Sequence, residues 1–107
     1  WETLQSLPEY RDSTALIVTT DHGRGSGRSD WRHHGASVDG AQDIWIAVMG
    51  PGIPALGHRA GTGLVTQGQV ASTIATLLGE DYRHDVPNAA PPLPLWPVMG
   101  AGLAAGR

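Results

Sequence analysis

An uninterrupted run of apolar and β-branched residues, Thr14–Thr20 (TALIVTT), constrains the fold more than any other feature of the sequence. Apolar and polar residues do not alternate in this run, as they would in a strand with one face in water. The pattern therefore predicts a strand buried on both faces, as in a parallel sheet with helices on each side. A second strand is predicted at Asp43–Met49 (DIWIAVM), where the turn signal Gly50-Pro51-Gly52 ends it.

The second half of the chain carries one well-defined helix signal. Thr66 followed by Gln69 three residues later matches a capping box, in which each side chain bonds the backbone of the other residue. Gly79 then stands where a helix commonly ends in a left-handed glycine. Between them, one apolar stripe is predicted to face a core. Its members are Val70, Ile74, Leu77 and Leu78.

The two ends of the chain give weaker signals. Trp1 and Leu4 lie at helical spacing ahead of Pro8, which predicts the end of a helix that begins upstream. The chain opens on Trp1 without a methionine, so we expect that sequence precedes it. Residues 86–107 contain most of the eight prolines and no acidic residue, a composition compatible with a disordered tail. Ordered structure is therefore expected to end near Tyr82.

Two strands and one full helix bury too little surface to form an independent core. A two-stranded unit is marginal in water, and a strand buried on both faces needs neighbours that this chain does not supply. The sequence therefore predicts an α/β segment of a larger domain over residues 1–85, followed by a Pro/Gly/Ala-rich tail over residues 86–107.

Charge and composition exclude several classes of function. The net charge of the 107-residue chain is −3, and its seven basic residues are all arginines, which argues against a nucleic-acid partner or an anionic membrane. The absence of cysteine excludes disulfides and thiolate metal sites. No stretch of eighteen apolar residues is present, so no membrane span is predicted.

Chemically informative residues follow the first predicted strand. Asp21 and His22 stand at its carboxyl end, the edge at which open α/β sheets bind ligands. A carboxylate and an imidazole adjacent in sequence reach one metal ion if the backbone turns sharply, and Gly23 permits such a turn. These ligands suit zinc or manganese better than calcium. For an isolated pair, the simpler interpretation is a turn-capping aspartate beside a loop histidine.

A second group of candidate ligands lies in the long glycine-bearing loop Gly23–Gly40. Within the segment Asp30–Gly35 (DWRHHG), His33 and His34 are adjacent in the loop that feeds the second strand. An adjacent histidine pair alone is weak evidence for a metal site, since surface loops carry such pairs by chance. Asp21 and His22 lie at one end of this loop, and the histidine pair lies farther along it. The sequence therefore favours a loop that folds back and brings both groups to a single pocket.

These segments together resemble the C-terminal portion of the alkaline phosphatase superfamily, which includes phosphatases, sulfatases, nucleotide phosphodiesterases and cofactor-independent phosphoglycerate mutases. The resemblance covers about residues 1–82, and the DHG after a hydrophobic strand is its most specific part. It implies a fragment of a three-layer α/β/α domain, its C-terminal strands and one helix. The segments that carry it are LIVTTDHGRG, DWRHHG, IWIAVMGPGIPALG and TQGQVASTIATLLGEDY.

The resemblance implies two divalent metal ions, usually zinc and in some branches manganese. Asp21 and His22 match the pair that binds one metal. His34, followed by glycine, matches the histidine that binds the other, and His33 is taken as its neighbour. No role is assigned to Arg24, for which a solvated loop arginine is the simpler interpretation.

Other parts of the family's site have no counterpart in this chain. The nucleophilic Ser or Thr and the remaining metal ligands precede the matched region, and Arg32 is assigned no role. Thr19 and Thr20 are interpreted as strand residues and Ser26 as part of the loop. The sequence therefore contains about half of a metal site.

The resemblance implies the C-terminal part of a metal-dependent hydrolase of phosphate or sulfate esters, acting on a small anionic ester. Many relatives are exported, which favours an extracytoplasmic location. A phosphate-moving isomerase of the same fold is an alternative. A further alternative is a non-catalytic fragment whose GRGSGR loop binds an anion. That loop matches neither nucleotide-binding glycine motif, and a GxSxG elbow for a Ser-His-Asp hydrolase is absent.

Overall fold

The computed structural model describes residues 1–96, which form two compact units. The first unit spans Trp1–Pro51 and the second begins at Gly52. No helix within residues 1–96 is long and apolar enough to cross a membrane. In chain order, the elements are α1 (Glu2–Ser6), β1 (Leu16–Thr19), β2 (Ile46–Met49), a 3₁₀ turn (Gln67–Gln69), α2 (Val70–Leu77) and α3 (Tyr82–Asp85).

The first unit is built on a two-stranded ribbon. β1 and β2 form within the two predicted runs and pair directly, antiparallel, with Leu16 opposite Met49 and Thr19 opposite Ile46. The predicted arrangement was a parallel sheet with β1 buried on both faces, whereas Val18 is 41% exposed. A parallel pair requires a crossover segment, usually helical, and no helix is described between these strands. The larger α/β/α sheet therefore stays a prediction.

Local sequence explains where α1 ends. Leu7 adopts an extended conformation (φ −92°, ψ 120°), and its amide donates to the Leu4 carbonyl at 3.3 Å. A residue that precedes proline is disfavoured in the helical region, so Pro8 ends the helix as the sequence predicts.

In the second unit, α2 begins and ends at the residues that the sequence indicates. The capping box is present, with the Thr66 amide donating to Gln69 Oε1 at 2.9 Å. The first turn is 3₁₀ (Gln67–Gln69) rather than α-helical, which is common at helix starts. Gly79 follows the last turn with φ +83°, the left-handed conformation that favours glycine.

The face that α2 buries is not the one predicted. Ser72 and Thr73 are 2% and 1% exposed, whereas Ile74 and Leu78, members of the predicted core stripe, are 46% and 75% exposed. The expectation that this apolar stripe faces a core is therefore wrong within the described chain. The reason is that the segment after α3 packs on the opposite, hydroxyl-bearing face.

Proline-rich residues after α3 are held against α2 by their backbone groups. Ser72 Oγ donates to the Ala90 carbonyl at 2.6 Å, and the Leu93 amide donates to Thr73 Oγ1 at 2.8 Å. Proline has no amide hydrogen, so a proline-rich segment has few backbone donors. A side-chain hydroxyl both donates and accepts, and it can therefore bond the carbonyls and the few amides of such a segment. This packing differs from the expectation that ordered structure ends near Tyr82. The remainder of the predicted tail, residues 97–107, lies outside the described residues.

Substituting Thr73 with valine tests this packing. Thr73 Oγ1 accepts from the Leu93 amide and donates to the Gln69 carbonyl at 2.7 Å, so valine leaves a buried amide unpaired. We expect a loss of about 1–3 kcal/mol in the free energy of unfolding, measured in urea, with faster amide exchange at Leu93. Thr76→Val is the matched control, since the Thr76 hydroxyl bonds only Ser72 O within the helix. Equal effects of the two changes would contradict the packing.

Candidate functional site

Backbone hydrogen bonds fold the long loop between β1 and β2 onto itself. The Gly23 amide donates to the Ala41 carbonyl at 2.8 Å, and the Gly25 amide donates to the His33 carbonyl at 3.1 Å. The antiparallel ribbon has already brought the two ends of this loop together. These two bonds extend that approach, so that residues just after β1 meet residues from the middle and the end of the loop.

Glycine is required where these backbone segments meet. A Cβ atom at Gly23 would stand 2.1 Å from the Gly40 carbonyl oxygen and 2.5 Å from that of Asp43, distances that no folded chain tolerates. Gly40 has φ +87°, and a Cβ there would stand 2.8 Å from the Arg24 carbonyl oxygen. The sequence predicted that Gly23 serves a sharp turn; the structure shows that it serves close backbone approach instead.

The loop brings His22 and His34 into direct contact. Their ring centroids are 3.8 Å apart, with an angle of 15° between the ring planes. The bond between Gly25 and His33 accounts for this contact, because it aligns the two segments so that the residue after His33 returns beside the start of the loop. Two of the histidines singled out in the sequence therefore share one location, and His33 contributes its carbonyl to holding it.

Asp21 lies against His22 through both carboxylate oxygens. Its Oδ1 accepts the His22 amide at 2.9 Å, and its Oδ2 stands 3.6 Å from His22 Nε2. On the other side of the ring, His22 Nδ1 lies 2.6 Å from the Gly23 carbonyl. A carbonyl only accepts, so Nδ1 carries the proton, and in the neutral ring Nε2 keeps a free lone pair. Asp21 Oδ2 and His22 Nε2 are thus two adjacent electron-pair donors.

This donor pair fits a metal ion in chemistry and in spacing. Two ligand atoms about 2.0–2.2 Å from a tetrahedral zinc ion are about 3.3–3.6 Å apart, close to the 3.6 Å between Asp21 Oδ2 and His22 Nε2. The Gly23 carbonyl on Nδ1 is the kind of partner that orients a ligating histidine. Within residues 1–96, no group of three or more potential ligands is assembled. The described chain therefore offers part of a ligand set.

A cleft of about 640 Å³ opens beside His22 in the first unit. Sequence reasoning missed Asp39, Asp43 and Trp45 as members of this site. The missed signal was the antiparallel pairing, which puts residues just before β2 opposite residues just after β1. The lining residues are Thr20, His22, Gly23, Arg24, Ser26, Asp39, Gly40, Asp43 and Trp45.

The two loop arginines that the sequence left without a role occupy different surroundings. Arg24 lines the cleft. The guanidinium carbon of Arg32 instead lies 4.9 Å from the centre of the Trp31 ring, a cation–π distance. Of the two, Arg24 therefore stands beside the candidate ligands.

Comparisons with protein-family models, curated proteins and solved structures find no match to this chain. The resemblance to the alkaline phosphatase superfamily accordingly depends on the segments quoted above, and the assignment of Asp21, His22 and His34 as metal ligands stays a prediction.

Substituting Gly23 with alanine tests the loop closure. The new Cβ would collide with two backbone carbonyls, so the loop must open and separate His22 from His34. We expect a loss of about 1–3 kcal/mol or more in the free energy of unfolding, and shifted ring resonances of both histidines in NMR spectra. Gly35→Ala is the control, since a Cβ at Gly35 would meet nothing within 4 Å and its φ is not positive. Unchanged histidine resonances in the Gly23 variant would contradict this closure.

Proposed function

We propose that this chain is the C-terminal part of a metal-dependent hydrolase of phosphate or sulfate esters, with an alkaline-phosphatase-like fold. The observation that supports it most is the contact of His34 with His22, beside Asp21. His34 lies 3.8 Å from His22 between ring centroids, and Asp21 Oδ2 lies 3.6 Å from His22 Nε2. The two histidines are twelve positions apart in sequence, so their contact is a product of the loop fold.

Exposed apolar surface supports the proposal that this segment belongs to a larger domain. Ala41 and Leu93 are the only buried hydrophobic residues within residues 1–96, and they are 8% and 6% exposed. By contrast, Leu64 and Leu78 are 91% and 75% exposed. Soluble domains rarely leave much large apolar surface in water. Neighbouring elements of a larger domain would cover such side chains and would also carry the nucleophile and the remaining ligands.

The arrangement of the rings favours two ions rather than one. Imidazole lone pairs lie in the ring plane, and the planes of His22 and His34 are nearly parallel and separated. Their lone pairs therefore do not converge on one point, in keeping with His22 and Asp21 holding one ion and His34 the other. Asp21 and His22 would hold one such ion and His34 the other; zinc or manganese bound there would supply Lewis-acid chemistry toward the ester and a Ser or Thr nucleophile.

Different groups of this chain would hold the proposed metal ligands in place. Asp21 supplies negative charge beside His22, while the Gly23 carbonyl fixes the His22 tautomer that leaves Nε2 free. The backbone bond between Gly25 and His33 holds His34 in place against His22. Positioning of the ligands is thus done by backbone groups, which substitution of His33 leaves intact.

Histidine substitutions in the full-length parent enzyme test the ligand assignment. We expect His22→Ala and His34→Ala each to lower kcat/KM by more than about 100-fold. Removing a residue that only hydrogen-bonds a metal ligand already lowers metal affinity or activity about 10–100-fold, and loss of the ligand itself should cost more. Each change also lowers the metal content measured by elemental analysis after dialysis. His33→Ala is the matched control and should retain most activity and metal. Loss of activity in the His33 variant with retention in the His34 variant would show that the assignment in this loop is displaced by one residue.

The isolated 107-residue chain is expected to have no turnover of phosphate or sulfate monoesters. It lacks an assigned nucleophile, and its described residues assemble no complete ligand set. The assay uses p-nitrophenyl phosphate and p-nitrophenyl sulfate with added zinc or manganese. Turnover that co-purifies with the chain, and is lost in the His22→Ala chain, would overturn the proposal that the nucleophile and the remaining metal ligands lie outside this chain.

A further inference from the structure

The cleft of the first unit presents a large aromatic side chain that the ester-hydrolase proposal does not use. Trp45 lines the cleft and is 55% exposed. Its backbone is fixed at the end of the ribbon, because Thr19 Oγ1 donates to the Trp45 carbonyl at 2.8 Å. An indole held at the wall of an open cleft, with half of its surface in water, is available to a ligand.

The charges around Trp45 indicate the sign of that ligand. Asp39 and Asp43 line the same cleft, against a single arginine, Arg24. Among residues 1–96, none of these three forms an ion pair, since the one pair within 4.0 Å joins Asp21 and His22. With His22 counted as neutral, the lining carries a net charge of −1, so the cleft has one negative charge in excess.

We propose that this cleft binds an organic ammonium ion, with Trp45 as the cation–π surface and Asp39 and Asp43 as counter-charges. Tryptophan is the aromatic side chain that attracts cations most strongly, and quaternary ammonium groups are recognised in this way. The cleft volume of about 640 Å³ lies in the range of small-molecule sites.

His22, a proposed metal ligand, also lines the cleft. The test is therefore carried out with EDTA present, so that no metal ion competes for the cleft. The 107-residue chain is titrated with tetramethylammonium chloride at constant ionic strength, and binding is followed by amide chemical shifts. We expect saturable binding, with shifts centred on residues 39–45. Trp45→Ala should weaken it about twofold to thirtyfold, with Trp45→Phe in between, and Asp39→Asn and Asp43→Asn should each weaken it about twofold to fivefold.

Two control variants keep the same residue chemistry outside the cleft. Trp31→Ala removes an exposed indole that already contacts Arg32, and Glu9→Gln removes one exposed negative charge. Both should bind tetramethylammonium as the unsubstituted chain does. Equal weakening in these controls and in the cleft variants would contradict the assignment to Trp45, Asp39 and Asp43.

Substituting Arg24 with glutamine separates a cation site from an anion site. Removing a like charge should tighten tetramethylammonium binding about twofold to fivefold. A parallel titration with inorganic phosphate should show no saturable binding. Saturable phosphate binding that Arg24→Gln abolishes would overturn the proposal, and so would the absence of saturable tetramethylammonium binding by the unsubstituted chain.

Discussion

The candidate site depends on one close backbone approach, that of Gly23 to residues 40–43. The Gly23 amide donates to the Ala41 carbonyl. A Cβ atom at position 23 would collide with the Gly40 and Asp43 carbonyl oxygens and prevent this approach. This approach closes a loop that carries no helix or strand of its own. It sets the position of His22 on one side and of Asp43 on the other, so the proposed metal ligands and the cleft share one structural origin. A long loop becomes a defined site here because glycines allow backbone to pack on backbone.

The sequence predicted features that local chemistry determines. The capping box of Thr66 and Gln69, the left-handed Gly79 and the helix stop at Pro8 each follow from the residue types present at those positions. Convergence of His22 and His34 was also expected, through the resemblance and through their positions around one loop. Local propensities and a loop that must return to an adjacent strand were sufficient for these inferences.

Features that depend on which distant segments pair were not predictable in this way. An apolar run such as Thr14–Thr20 fits a buried strand of either direction, and the observed partner is antiparallel. The same pairing delivered Asp43 and Trp45 to the cleft, which no motif indicated. In the second unit, an apolar stripe predicted a buried face, yet the hydroxyls of α2 bind the following proline-rich segment. The exposed stripe thus has the pattern of a core face, and within residues 1–96 Ile74 and Leu78 remain largely exposed.

The loop fold places the rings of His22 and His34 in contact beside Asp21, and we propose that they are ligands for separate ions. The most direct measurement is NMR of the histidine rings in the 107-residue chain, before and during a zinc titration. We expect nuclear Overhauser contacts between the rings of His22 and His34, and zinc-induced shifts at these two rings and at the Asp21 carboxylate. The rings of His33, His58 and His84 should be little affected. Absence of ring contacts, or equal zinc-induced shifts at all five histidines, would contradict it.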